Sequence, residues 1–485
     1  MKDKLRSLEW GRPGILRPIR PGVLLGAAFI ASTFMVVVGQ SSGRINTPLA
    51  VLLLVAPIAA IAAVARPAWL VILLAALPTG LLASIPTRGM ELLLVAALSA
   101  LLLIRGRLSL GWPSGMLPLL LLVVAAHLFT ADVAADTALT ARGFLNLFTY
   151  MVLLGIVTYN VTLIGDLDVR DLINALLVGA VIVVALERIG TGFLSRVAEE
   201  GSVLPLGRNV AYVAVMGLGL SFARFLLPDP GERVRHRALY GLLAAGFALV
   251  VTLAFVRAAW LSGLIVVFLV AMWSGKRRYW MILAVAAVIV TTIPVVTERV
   301  LPGYEVGIER AIASRDFATG RVALWQALWP QLTAGLPTGH GYGFTFTLSP
   351  DRLFGFETFV VQGQRGSFVY PHNDFIFWTL ELGLLGLAAL VTFWTQLAVA
   401  IRWIAKKGSQ SDRSSVYALS GIFVTAFIVQ LIDNSFAIRA VGIWLFMAAG
   451  SVSGLVAVGK QARSLAARAD DVTIRSEGGG ETVSQ

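Results

Sequence analysis

"ALYGLLAAGFALVVTLAFVRAAWLSGLIVVFLVAMWS", residues 238–274, contains one charged residue, Arg257. As a single helix it would be roughly 55 Å long, against a hydrocarbon core of about 30 Å. Basic clusters close both ends, at Arg233, Arg235 and Arg237 and at Lys276, Arg277 and Arg278. Both ends therefore belong on the side of a membrane that retains positive charge. The stretch must fold into a transmembrane hairpin with Arg257 at its outer turn. A lone arginine there either snorkels to the interface or forms a half-buried anion site.

The rest of the 485-residue chain follows the same logic. It is 57% hydrophobic and 14% charged, where water-soluble domains carry about 25% charged residues. That excludes a soluble multi-domain enzyme. Long unbroken apolar runs exclude an outer-membrane barrel, whose strands alternate. Candidate spans fall near 22–39, 47–65, 67–86, 90–104, 115–131, 144–161, 171–187, 209–227, 238–256, 258–274, 279–297, 374–404, 416–437 and 440–458. The shortest of these lie at or below the usual crossing length. The expected fold is thus an all-α polytopic membrane protein with about 12–14 transmembrane helices. Four regions are expected: N-terminal spans in 1–297, a large outer loop at 298–373, C-terminal spans in 374–460 and a polar, disordered tail at 461–485. The basic N-terminus precedes a retained first span without a cleavage site.

Charge supports this arrangement. With the N-terminus inside, the inner loops hold 25 of the 39 basic residues, including every lysine. Topology and anionic lipid account for the net charge of +12, and no nucleic-acid partner is needed. The chain has no cysteine. Disulfide and thiolate chemistry are excluded, as befits an oxidising compartment. "DLD" at 166–168 imitates a metal-binding nucleotide-sugar motif, but it reads as a short polar inner loop.

The outer loop is far longer than an ordinary connection. Within it Val322, Leu324, Trp325, Leu328, Trp329 and Leu332 recur at helical spacing. They predict an amphipathic helix over 320–333, lying at the membrane interface. Arg321 opens that helix, and a helix N-terminus with an arginine is a candidate anion site. Pro337, Gly339, Gly341 and Gly343 then force a loop around His340. His372 and Asn373 follow Pro371 and stand just before the next span. Histidine is the side chain best suited to accept a proton near neutral pH. Gly383 and Gly386 are expected to share its helix face, where small residues admit another helix closely. Arg257, Arg321 and His372 come from distant segments yet fall on one membrane face. Together they suggest a site that holds a phosphorylated lipid and abstracts a proton.

The spacing of His372-Asn373, nine residues, Gly383, two residues and Gly386 resembles the H-[NSQ]-x9-G-x-x-[GTY] signature of the O-antigen ligase and O-antigen polymerase superfamily. "GRVALWQALW" (320–329) resembles its G-R-x-x-x-W segment, and "VRAAWL" (256–261) its arginine-containing transmembrane motif. The resemblance implies a multi-pass protein of the bacterial inner membrane with its site facing the periplasm. The donor would be a glycan on undecaprenyl pyrophosphate, and the acceptor a lipid A-core hydroxyl in a ligase or another lipid-linked glycan in a polymerase. Arg257 and Arg321 match the arginines expected to hold the pyrophosphate, and His372 the expected base. By their own places in the sequence, not by the resemblance, Asn373 beside His372 and His340 in "GHGYG" are candidates to line the substrate. The reaction would invert the anomeric centre without cofactor or metal, since the outer loop offers only scattered acids and two arginines can stabilise the leaving charge. A transporter or lipid-linked glycan flippase is the competing class. Transporters tend to show internal repeats, and none is visible here.

Overall fold

The structure, a computed structural model, describes residues 67–76, 116–132, 135–190, 208–228, 232–254, 256–274, 321–348, 371–433 and 438–478. The chain divides into two compact units, Met1–Leu70 and Val71–Gln485. Residues 67–70 are the only described part of the first unit, and all other described residues belong to the second. The expected spans near 22–39, 47–65, 90–104 and 279–297 lie outside the described residues, as do loop residues 298–320 and 349–370.

The described elements are helical: α1 (Pro67–Ala76), α2 (Met116–Leu128), α3 (Ala135–Leu163), α4 (Val169–Gly190), α5 (Arg208–Leu226), α6 (Val234–Leu253), α7 (Arg257–Trp273), α8 (Arg321–Ala334), a 3-10 turn (Phe344–Thr347), α9 (Asp374–Lys407), α10 (Gln410–Ile432) and α11 (Arg439–Gly478). Six of them are long and apolar enough to cross a membrane, and α2 and part of α7 form shorter apolar helices. No strand occurs among the described residues, so the protein is an all-α polytopic membrane protein. The hairpin required by bilayer thickness is present, because α6 ends at Leu253 and α7 restarts at Arg257.

Close packing sets the helix directions. α5 and α10 run antiparallel. Ser414 donates to Leu227 O at 2.6 Å at one end, and Tyr212 donates to Asp433 Oδ2 at 3.3 Å at the other. They cross at Gly219 and Gly421, where a Cβ on Gly219 would come within 2.7 Å of the Gly421 Cα. α7 packs on both. Its last residue, Trp273, stacks on Tyr417 at 4.8 Å, and its 17 residues then climb roughly 25 Å to the level of Asp433. α11 lies along α3 at Gly450 and Gly454, four residues apart. A Cβ at either would come within 3.1 Å of the Tyr159 backbone. Small residues at this spacing let membrane helices touch backbone to backbone.

Two expectations need correction. α9 is not one straight span. Leu382 (φ −128°, ψ 19°) and Gly383 (φ 59°, ψ −140°) leave the helical region, and the chain doubles back. A Cβ on Gly386 would lie 3.1 Å from that of Trp378, which in a continuous helix is roughly 12 Å away. Phe375 and Trp394 consequently meet the same ring, Phe427, at 6.3 and 5.1 Å. α9 is therefore a short arm, 374–381, folded against a long arm, 384–407. The break ends any common helix face for His372, Gly383 and Gly386. The two glycines admit the glycine-rich loop and the returning arm, not another helix. The second correction is at the C-terminus. The polar sequence after 460 was expected to be disordered, but α11 continues to Gly478. "QARSLAARADD" (461–471) is rich in good helix formers, so propagation from a packed helix carries it on.

Candidate functional site

His372 is the one described non-glycine residue with positive φ, at 51°. A side chain in the left-handed region strains the backbone, and surrounding structure must impose it. The imposing contacts flank the residue. Before it, Trp325 of α8 donates its indole N–H to Pro371 O at 2.8 Å. After it, Asn373 caps α9: its Oδ1 accepts from Ile376 N at 3.0 Å, and its Nδ2 donates to Leu431 O at 2.9 Å. Asn373, expected to contact substrate, thus has both ends of its amide bonded to protein. It clamps the backbone beside the histidine.

The clamp delivers His372 to Asp433. Nδ1 lies 3.2 Å from Asp433 Oδ1, with the histidine side chain 39% exposed and the aspartate 6%. A carboxylate accepts only, so Nδ1 carries the proton and the basic lone pair is on Nε2. Tyr212 donates to the other carboxylate oxygen and fixes its plane. A buried acid orienting a reachable imidazole is the arrangement of a general base.

The arginines approach the same end of the bundle. Arg321 is the first residue of α8, half-buried, and Trp325 one turn later shares its face. The Trp325–Pro371 bond therefore brings the start of α8 to the segment carrying His372. Arg257 opens α7 at the level of Asp433, by the helix directions above. α5 and α11 also open with arginines, Arg208 and Arg439, at this end. Arginine at a helix start opposes the helix dipole, so such a position is not explained by helix stability. Among the described residues, no group of three or more His, Asp or Glu is placed to hold a metal ion.

α8 and His340 also build the fold around the break in α9. Leu324 and Leu328 pack with Leu348 and Leu380 of the short arm, and Trp325, Leu332 and Ile376 cover them. Val322 and Trp329 lie on the opposite, exposed face. The apolar stripe thus seats α8 on protein, because half of it is needed to cover the short arm. The glycine-rich loop then returns into the break of α9. His340 N donates to Leu380 O and Gly341 N to Glu381 O, each at 2.9 Å, and Leu384 N donates to Leu336 O at 3.0 Å. Each bond satisfies a group that the helix break would leave bare. Gly339, at φ 77°, lies so close to Gly383 that a Cβ on Gly383 would meet Thr338 C at 2.7 Å. The His340 ring meets Gln331 O at 2.8 Å and stacks on Phe344 at 4.1 Å, which closes the loop onto α8. Tyr342 donates to Ala141 O at 2.9 Å. Burial, and after it the Glu381 carboxylate, push its phenol well above its ordinary pKa, so it remains a neutral donor.

Asp433, Tyr212 and Glu381 were not singled out in the sequence, though two of them carried a signal. Asp433 ends an apolar helix, where a negative charge opposes the dipole. Glu381 is a lone carboxylate in "FWTLELGLLG" (377–386), and such residues in apolar spans are functional candidates. Tyr212 carried none. Comparison with curated proteins gives no match. Residues 241–391 match the sequence profile of a family described as O-antigen ligase, a stretch that includes Arg257, Arg321, His340, His372 and Glu381. Over this stretch, which carries these five residues, the chain is similar to the O-antigen ligase family.

Proposed function

We propose that this protein is an O-antigen ligase: a glycosyltransferase at the periplasmic face of the inner membrane that moves a glycan from undecaprenyl pyrophosphate to a lipid A-core hydroxyl. The observation that carries the reading is the His372–Asp433 pair beside the arginine-headed helix starts. His372 Nε2 takes the proton of the acceptor hydroxyl as its oxygen attacks the anomeric carbon. The bond from that carbon to the pyrophosphate oxygen breaks on the opposite face, so the centre inverts and undecaprenyl pyrophosphate leaves. Arg257 and Arg321 hold the phosphates and stabilise the charge that gathers on them. Asp433 stabilises the imidazolium until its proton is lost to water. The pyrophosphate ester supplies the driving force, so no nucleotide or metal takes part.

Purified protein in vesicles, supplied with lipid-linked glycan and lipid A-core in excess EDTA, should yield glycan-bearing lipid A-core and free undecaprenyl pyrophosphate, read by gel and mass spectrometry. Activity that disappears in EDTA and returns with a divalent ion would sink the metal-free mechanism. Joining of one lipid-linked glycan to another would make the protein a polymerase working from the same donor site. Movement of the donor between leaflets without bond formation would make it a flippase.

Orientation has its own test. Single cysteines in this cysteine-free chain at Thr333 and Gln410, both exposed, should differ in access. Thr333→Cys should label from the periplasm, and Gln410→Cys only after the inner membrane is opened. The reverse pattern would place His372 in the cytoplasm and end the proposal.

A further inference from the structure

Glu381 is fully buried at the end of the short arm, one residue before the break. Its Oε1 accepts from Thr345 N at 2.7 Å, and its Oε2 accepts from Gly343 N. Its own carbonyl accepts from Gly341 N. The amides of Gly343 and Thr345, two residues apart in a glycine-rich turn, converge on one carboxylate, much as the amides of a nest converge on a phosphate in many proteins. Here the protein's own carboxylate takes that place. A donor phosphate would have to displace a buried, doubly bonded carboxylate, so this loop is not the pyrophosphate cradle.

The loop instead joins two parts of the site. Upstream it continues from α8, which carries Arg321 and Trp325. The short arm that it grips starts two residues after His372. α8 packs on the short arm through Leu324, Leu328 and Leu380, and the chain beyond each end is tied at Trp325–Pro371 and at Leu336–Leu384. We propose that Glu381 is a positioning residue. Its carboxylate latches the 339–345 loop into the helix break and so fixes Arg321 relative to His372. The inference rests on the donor-site reading of Arg321 for its catalytic consequence, but the latch itself does not.

The test uses the full-length protein in detergent and in vesicles, as Glu381→Gln and Glu381→Asp. Gln keeps the shape but leaves one of the two loop amides facing an NH2 group. Asp keeps the charge but shortens the reach, and serves if Gln fails to fold. The first readout is amide hydrogen exchange, which needs no substrate. Exchange across 339–345 should rise by about tenfold or more, while α5 and α10 keep their protection. Unchanged exchange in the loop would overturn the latch. The second readout is transfer, expected to fall by about 10²-fold, the scale of an ångström-level misplacement. Undiminished transfer with a freely exchanging loop would overturn the positioning role. The third is donor binding with lipid-linked glycan. Glu381→Gln should weaken it in the wild-type background and add nothing to Arg321→Ala, because a residue acting through another is not additive with it. Additive losses would mean general destabilisation and would also overturn the proposal. If the unaltered protein transfers no glycan at all, the glycosyltransferase reading fails while the exchange result still decides the latch.

Discussion

Alanine at Arg257 or at Arg321 is expected to abolish detectable transfer while the protein still folds and inserts. Each arginine stands at the first position of its helix, where a positive charge opposes the dipole and costs a few tenths of a kcal/mol to about 1. Removing Arg321 should still leave α8 in place, since Leu324, Leu328 and Trp325 hold it. What is lost is a preorganised donor aimed at developing leaving-group charge, and one such donor is commonly worth about 10²–10³-fold. Lysine should also be damaging at both positions, because an ammonium cannot reproduce the planar fork that grips two phosphate oxygens. Transfer, donor binding and thermal stability measured on the same purified variants decide the matter. Full activity in Arg321→Ala would return that residue to an ordinary solvated charge.

His372→Ala is expected to lower transfer by about 10²–10⁴-fold, the usual worth of general-base catalysis, with donor binding nearly unchanged. The backbone adds a second and sharper expectation. Because His372 sits at φ 51°, His372→Gly relieves a left-handed strain that alanine retains. The glycine variant should be more stable than the alanine variant by about 1 kcal/mol, yet no more active. Asp433→Asn should show the same loss in weaker form, since it unsettles the tautomer without removing the imidazole. If His372 merely packs at the helix entrance, its variants should be destabilised with only modest loss of transfer. A stable His372→Ala protein with normal transfer would remove the base from the mechanism.

The sequence by itself determined the membrane fold, the hairpin at Arg257 and the candidacy of Arg257, Arg321 and His372. All of these rest on local quantities: the length of an apolar run against a fixed bilayer thickness, the placing of charge at its ends, and a polar group standing where the chain enters lipid. The tertiary structure alone decided who meets whom. His372 reaches Asp433 across 61 residues, Asp433 meets Tyr212 across 221, and Glu381 holds amides 36 and 38 residues away. It alone decided that α9 doubles back, because a break at Gly383 is tolerated only when another segment satisfies the bared backbone, and that segment is the loop around His340. It also gave Asn373 the cap of α9, and seated half of the α8 stripe on the short arm while Val322 and Trp329 stay exposed. Hydrophobicity is written along the chain and can be read residue by residue. The pairing of buried polar groups depends on which helices lie side by side, and no single segment records that.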